Sequence, residues 1–339
     1  MLTTLRQSVG RAGEMKFLNL SEENSRFVED DQVFEISYYD GKTSSIKQMT
    51  YCGDLKNWEL DVLVMLAIQM ILSVGDAELE TLNYIFPDLQ NCQNEGVAKK
   101  VSKILSKYVD FVKGIEKGIS SHDVRYGAMD DMSLVELLQW ISIVCRGGWA
   151  YEGDSTSFHY IAERQDVIRA GRALSGYEVP SLVGPQPCLD SIHFTDFEEK
   201  TKFNDVMHKL FSALPSSSNV NERLFSAKQV LFASLLEKLG DIETATNYVD
   251  DSGKIFENVL ISTIKSACAS EHLEYGRLIQ FGTMVSSKNF DFKNRFKMTV
   301  FMIIYHENSH HIIHMIMNMI VFMINYHENN HIIILIQRL

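Results

Sequence analysis

The residues of this sequence best suited to chemistry are arginines. Arg164, Arg169 and Arg172 recur at helical spacing, and Arg125 and Arg146 stand in the connections just before them. A guanidinium holds a phosphate through two parallel N–H donors, and Tyr126, Tyr151, Tyr160 and Tyr275 offer rings on which an unpaired base can stack. Phosphate pairing and stacking read no bases, so this set implies sequence-independent binding of a single strand. A solvated helix face is the ordinary explanation of any one cationic stripe, such as Lys100, Lys103 and Lys107. The two explanations part on convergence. Cations from two lobes that face one cleft bind phosphate, whereas cations spread over the exterior do not.

Catalytic signatures are lacking. The phosphate-loop, dinucleotide and nucleophile-elbow patterns do not occur. The acidic pairs Asp130-Asp131 and Asp250-Asp251 fall at predicted loops or helix starts, where solvated caps are expected. Two H-E-x-x-H pairs, His306 to His310 and His327 to His331, set two imidazoles on one helix face and resemble the zinc site of metalloproteases. They lie, however, in residues 300–313 and 321–334, which are copies of one another at eleven of fourteen positions. The second motif is therefore no independent signal, and the tract reads as low-complexity sequence whose histidines bind metal adventitiously. No catalytic residue, metal or cofactor is assigned, and an enzyme is not expected.

The elements that must position the arginines can be read from punctuation. The chain has 339 residues, 45% apolar and 22% charged, so it can form a real core, and its formal charge of −12 requires any nucleic-acid site to be a local basic one. Five cysteines, odd in number and without a C-x-x-C pair, fit a reducing, cytoplasmic compartment. Residues 32–39 and 44–51 flank Asp40-Gly41 and predict one β-hairpin. Residues 58–74, apolar on nearly every face, predict a buried helix too short to cross a bilayer. Ser133 to Glu136 reads as a capping box opening a helix that ends at Gly147, and Thr195 to Glu198 reads as another. Three prolines between 180 and 187 mark a boundary. The expected fold is mostly α, with two helical lobes, one N-terminal hairpin and a low-complexity tail. Its parts are an arm at 1–31, a hairpin and helical lobe at 32–176, a linker at 177–193, a second helical lobe at 194–299 and the duplicated tail at 300–339.

One local motif suggests a family. Phe281-Gly282, followed by Ser286-Ser287-Lys288 and Lys293-Asn294, is similar to a motif of rhabdovirus-type nucleoproteins of negative-strand RNA viruses. That resemblance implies a two-lobed helical protein that encapsidates single-stranded RNA and gives a phosphate contact to Lys288 alone; Arg125, Arg146, Arg164, Arg169 and Arg172 are RNA-contact candidates by their own chemistry. It also implies self-association through the N-terminal arm, a viral polymerase or phosphoprotein-type partner, no membrane partner, and a place in the host cytoplasm or virion. The duplicated tail then suggests a truncated or genome-integrated copy read into repetitive DNA. A second resemblance competes: Leu239 to Ala245 with Tyr248 is similar to a fragment of a tetratricopeptide repeat, which implies a helical scaffold with a peptide-binding groove.

Overall fold

The computed structural model describes residues 1–19, 25–28, 33–40, 45–54, 57–73, 84–90, 92, 94–109, 118–136, 138–147, 164–177, 187–212, 222–246, 248–249, 255–256 and 258–287. Lys288 and the duplicated tail lie outside them, as do Tyr151 and Tyr160.

Alternating apolar residues build the sheet. Strands β2 (Val33–Asp40) and β3 (Ser45–Tyr51) pair antiparallel from Phe34↔Tyr51 to Asp40↔Ser45, the hairpin that Asp40-Gly41 predicts. Phe34, Ile36, Tyr38, Met49 and Tyr51 all turn inward and are buried. A further strand, β1 (Ser25–Val28), lies on the other side of β2, so the sheet is three-stranded in the order β1-β2-β3. Four residues are too few to display a period, and β1 is set by its partner: Arg26 Nε donates to Glu35 Oε2 at 2.7 Å directly across the pair.

The N-terminus is core rather than a projecting arm. Helix α1 (Leu2–Ser8) ends in a left-handed Val9, and a 3-10 turn follows at Ala12–Phe17. Leu5, Val9, Ala12, Met15 and Leu18 are buried, one apolar residue every three or four positions. Helix α2 (Val62–Ser73) is the expected central helix. Asp61 Oδ1 accepts the amides of Leu63 and Val64 at 2.8 and 3.1 Å, and Val62, Leu63, Val64, Leu66 and Met70 are buried in the core.

Helices α3 (Asn94–Val109), α4 (Ser121–Ser133), α5 (Trp140–Gly147) and α6 (Arg164–Leu174) follow. The capping box at Ser133 is not used. Ser133 is the last residue of α4, its hydroxyl donating to the Asp130 carbonyl at 2.7 Å, and the box that opens α4 is Ser120 with Asp123. Helix α6 ends just before Gly176, whose φ of 78° favours glycine.

Beyond the proline-rich stretch come α7 (Phe197–Leu210), capped by Asp196, α8 (Glu222–Thr246), α9 (Val259–Ser270) and α10 (Tyr275–Met284). Helix α8 runs without a break through Gly240-Asp241, so the tetratricopeptide-like fragment contains no turn between paired helices. Short strands β4 (Pro187–Cys188) and β7 (Ser286–Ser287) pair with each other, as do β5 (Tyr248–Val249) and β6 (Ile255–Phe256). Residues 1–288 form one compact unit and 289–339 another. Within the first, α2 packs against α8, and one hydrophobic cluster runs from Leu5 to Val285 across the 177–193 boundary.

Candidate nucleic-acid interface

The fold turns several of the arginines inward. Arg146 on α5 is fully buried, and all five of its N–H donors are used. Nε and Nη2 reach the Gln7 carbonyl at 2.9 and 2.6 Å, Nη1 reaches Thr50 Oγ1 at 2.9 Å and the Val167 carbonyl at 3.0 Å, and Nη2 reaches the Thr50 carbonyl at 2.6 Å. Burial lowers its pKa, an effect that the Tyr51 phenol partly offsets. The Tyr51 ring centre lies 5.9 Å from the guanidinium carbon. A Cβ on Gly171 would come within 3.1 Å of Nη1 and 3.2 Å of the Thr50 carbonyl, so the glycine lets α6 close over this group. Arg146 thus clamps α1, β3, α5 and α6 together and holds no donor for a phosphate, contrary to the role its sequence position suggests.

Arg172 on α6 is likewise buried, close enough to Tyr177 for its charge to oppose the rise that burial causes in the phenol's pKa. Arg169, one turn earlier, is 40% exposed and pairs with Asp166 at 3.4 Å; Asp166 also accepts the Ser142 hydroxyl at 2.8 Å. The helical spacing of this triplet therefore serves the packing of α6 on α5 as much as any surface. The Arg164 side chain and Lys288 lie outside the described residues. Of the α3 stripe, Lys103 is exposed, Lys100 is half-buried and donates to the Asp88 carbonyl at 3.3 Å, and the Lys107 side chain lies outside the described residues.

Arg125 is buried as well, but it borders a cavity. On α4, its Nη2 donates to the Gly147 carbonyl at 2.8 Å, and the residue lines a cavity of about 330 Å³ together with Arg11, His122, Tyr126 and Met129. Burial lowers the pKa of Arg125, the like charge of Arg11 lowers it further, and the Glu14 carboxylate partly offsets both. Arg11 follows Gly10, where a Cβ would meet Ser8 Oγ and Glu14 Oε2 at 2.8 and 2.9 Å, and the chain before it is left-handed at Val9. Glu14 is fixed in turn: its Oε2 accepts the Tyr38 hydroxyl and the Arg11 amide, each at 3.1 Å. On the open side, His122 and Tyr126 lie one helical turn apart with ring centres 5.6 Å apart and planes at 36°, and Tyr126 is 56% exposed. The site brings two cations and two rings to one opening.

Arg11, His122 and Met129 were not legible as partners of Arg125. The only sequence signal for Arg11 is its place in an acid-free stretch up to Glu14. The cations of the second half behave differently. Arg277 makes a two-pronged pair with Glu199, at 2.6 and 3.2 Å, and this pair holds the Glu199 carboxyl down at about 2. Lys209 pairs with Glu271 at 3.1 Å.

The Phe281-Gly282 step of the nucleoprotein-like motif is accounted for by packing. Phe281 is buried edge-on to Phe203 and Phe194, with ring centres 5.2 Å apart in each case. A Cβ on Gly282 would collide with the Leu236 carbonyl of α8. Ser286 and Ser287 form β7 against Pro187 and Cys188.

Among the described residues no group of three His, Cys, Asp or Glu is placed to hold a metal, and no helix is long and apolar enough to cross a membrane. Comparison with family models, with curated proteins and with solved structures finds no match to this chain.

Proposed function

We propose that this chain binds single-stranded RNA without regard to sequence, as a nucleoprotein does, and that the cavity between Arg11 and Arg125 is the contact site. The observation that supports this most is the composition of that cavity: arginines from two separate segments, α4 and the turn after α1, beside the exposed Tyr126 ring, which lies tilted against His122. A phosphate sits against the cations while its base lies on the rings, and neither contact selects a base. Arg146 and Arg172 act in this proposal as the frame that fixes α5 and α6 beside α4. Self-association and a polymerase or phosphoprotein-type partner belong to the same proposal, as does a place in host cytoplasm or virion. Because Leu5, Met15 and Leu18 are buried, self-association must use a surface other than a free N-terminal arm.

The test is fluorescence anisotropy with an unstructured RNA oligonucleotide. Tyr126→Ala is expected to weaken binding about 5- to 100-fold, the range for losing one stacked base. Arg11→Gln is expected to reduce the slope of log affinity against log salt by about 0.7, one single-strand phosphate contact. Both variants should retain wild-type helicity. Unchanged affinity and slope in both would overturn the assignment of this cavity.

A further inference from the structure

The cavity between Arg11 and Arg125 has room for one nucleotide rather than a run of them. A strand held along its length needs a groove in which cations and rings repeat. Here a volume of about 330 Å³, at the small end of the roughly 300–1,000 Å³ of ligand pockets, is lined by one pair of arginines and one pair of rings, His122 and Tyr126. Arg146 and Arg172 are buried, Arg169 pairs with Asp166, and none of the three lines the cavity. The flanks of the rings are acidic. Helix α4 places Asp130 one turn beyond Tyr126 on the same face and Asp123 next to His122, and both acids are exposed. Asp123 Oδ2 accepts the Ser120 hydroxyl and amide at 2.7 Å each, bonds that hold its carboxyl below the usual carboxylate range and keep it charged. A phosphodiester backbone that continued along α4 in either direction would meet a carboxylate of like charge.

Inside the cavity the balance is reversed. Burial and then the like charge of Arg11 lower the pKa of Arg125, and Glu14 offsets them only in part. Both arginines keep partners in the fold, Arg125 on the Gly147 carbonyl and Arg11 beside Glu14 at 3.8 Å, so what they offer a ligand is charge. A terminal phosphate monoester carries about −1.5 to −2 near pH 7, whereas an internal diester carries a single charge, so the monoester answers two crowded cations better. We infer that the cavity takes the phosphorylated end of a strand: the terminal phosphate lies between Arg11 and Arg125, its base rests on Tyr126, and the remaining nucleotides leave toward solvent. The inference rests on the RNA reading of the same cavity and narrows it from any point of a strand to its end.

The test is competition anisotropy on the full chain with one short, unstructured RNA sequence prepared 5′-phosphorylated, 3′-phosphorylated, with hydroxyls at both ends, and closed into a circle that has no end. At least one phosphorylated strand should bind about 10- to 100-fold tighter than the hydroxyl-ended strand and the circle, the gain expected from charged hydrogen bonds to the added phosphate charge. Arg11→Gln should shrink that preference, and Tyr126→Ala should weaken the phosphorylated strand. A circle or a hydroxyl-ended strand that binds as tightly as both phosphorylated strands would overturn the inference, as would an end preference that Arg11→Gln leaves intact. The two variants also separate this failure from failure of the RNA reading. If they weaken every form of the RNA alike, the cavity binds RNA and the end preference falls. If they change the affinity of no form, the cavity itself is not the RNA site.

Discussion

The two halves of the described structure are held together by opposite means. Around α1, β3, α5 and α6, the fixed point is Arg146, a buried cation whose five donors reach the Gln7, Thr50 and Val167 oxygens. Around α7, α8 and α10, the fixed point is a set of phenylalanines, Phe194, Phe203, Phe211, Phe232 and Phe281, packed tilted or edge-on. The first arrangement is directional and fails when one donor is lost; the second is a matter of volume and tolerates approximate replacement. Arg146 and Arg172, which read in sequence as phosphate-binding residues, are buried within the fold.

The largest expected effect separates these modes. Arg146→Lys keeps the charge but loses the fork, and should cost about 3 to 5 kcal/mol in urea unfolding because buried carbonyls lose their donors. Phe281→Leu should cost only about 1 to 1.5 kcal/mol, a near-isovolume change. If Arg146→Lys proved the milder of the two, the contrast between the regions would be wrong.

Glycine substitutions sharpen the comparison. Gly282→Ala should destabilise by about 2 to 3 kcal/mol, because the new methyl meets the rigid Leu236 backbone. At Gly171 the obstruction includes the flexible end of Arg146 as well as the Thr50 carbonyl, so alanine should cost about 1 to 2 kcal/mol. Gly240→Ala, inside α8 with nothing within 4 Å, should instead stabilise by about 0.5 to 1 kcal/mol. Thermal melts of the three variants rank them.

The polar region should also respond to pH. Burial pushes the Asp61 carboxyl up to about 7, against the pull of the amides of Val64, Leu63 and Asp54, and the nearby Asp54 carboxylate adds to the rise. A group whose folded pKa is raised contributes stability that is complete below its unfolded value of 3.8 and is lost as pH rises through about 7. Asp61→Asn keeps an oxygen to cap α2 and cannot ionise. The variant should therefore flatten the stability profile between pH 4 and 7, where the wild type loses up to about 1.4 kcal/mol per pH unit from this group. A wild-type profile that rises over this window, with the same slope in Asp61→Asn, would exclude this source.

The smallest effect lies in the second region. Glu199, held at about 2 by Arg277, contributes stability above its ordinary 4.5 that disappears as pH falls toward 2. The pair lies at the rim of an open, charged cavity of about 350 Å³. Arg277→Ala should thus lower stability only slightly at neutral pH and less in acid, as read by urea unfolding at the two pH values.

Local punctuation was legible wherever neighbouring residues decide the outcome. Asp40-Gly41 sets the hairpin, Gly176 stops α6, and the unbroken apolar run from Val62 dictates a buried helix. Ser133 shows the limit of such signals. Its box was chemically sound, but Met132 and Leu138 are drawn to the same hydrophobic cluster, and the chain between them becomes a turn. The candidate site was half legible: Arg125 and Tyr126 were singled out, whereas Arg11 and His122 join them only through folding.

Composition and periodicity alone determined that this is a mostly helical chain with a small N-terminal antiparallel sheet, since capping and apolar spacing act over a few residues. Which arginines face solvent was decided only by tertiary structure. A guanidinium satisfies its five donors as readily on buried carbonyls as on phosphate, and only the positions of Gln7, Thr50 and Val167 in space tell the two apart.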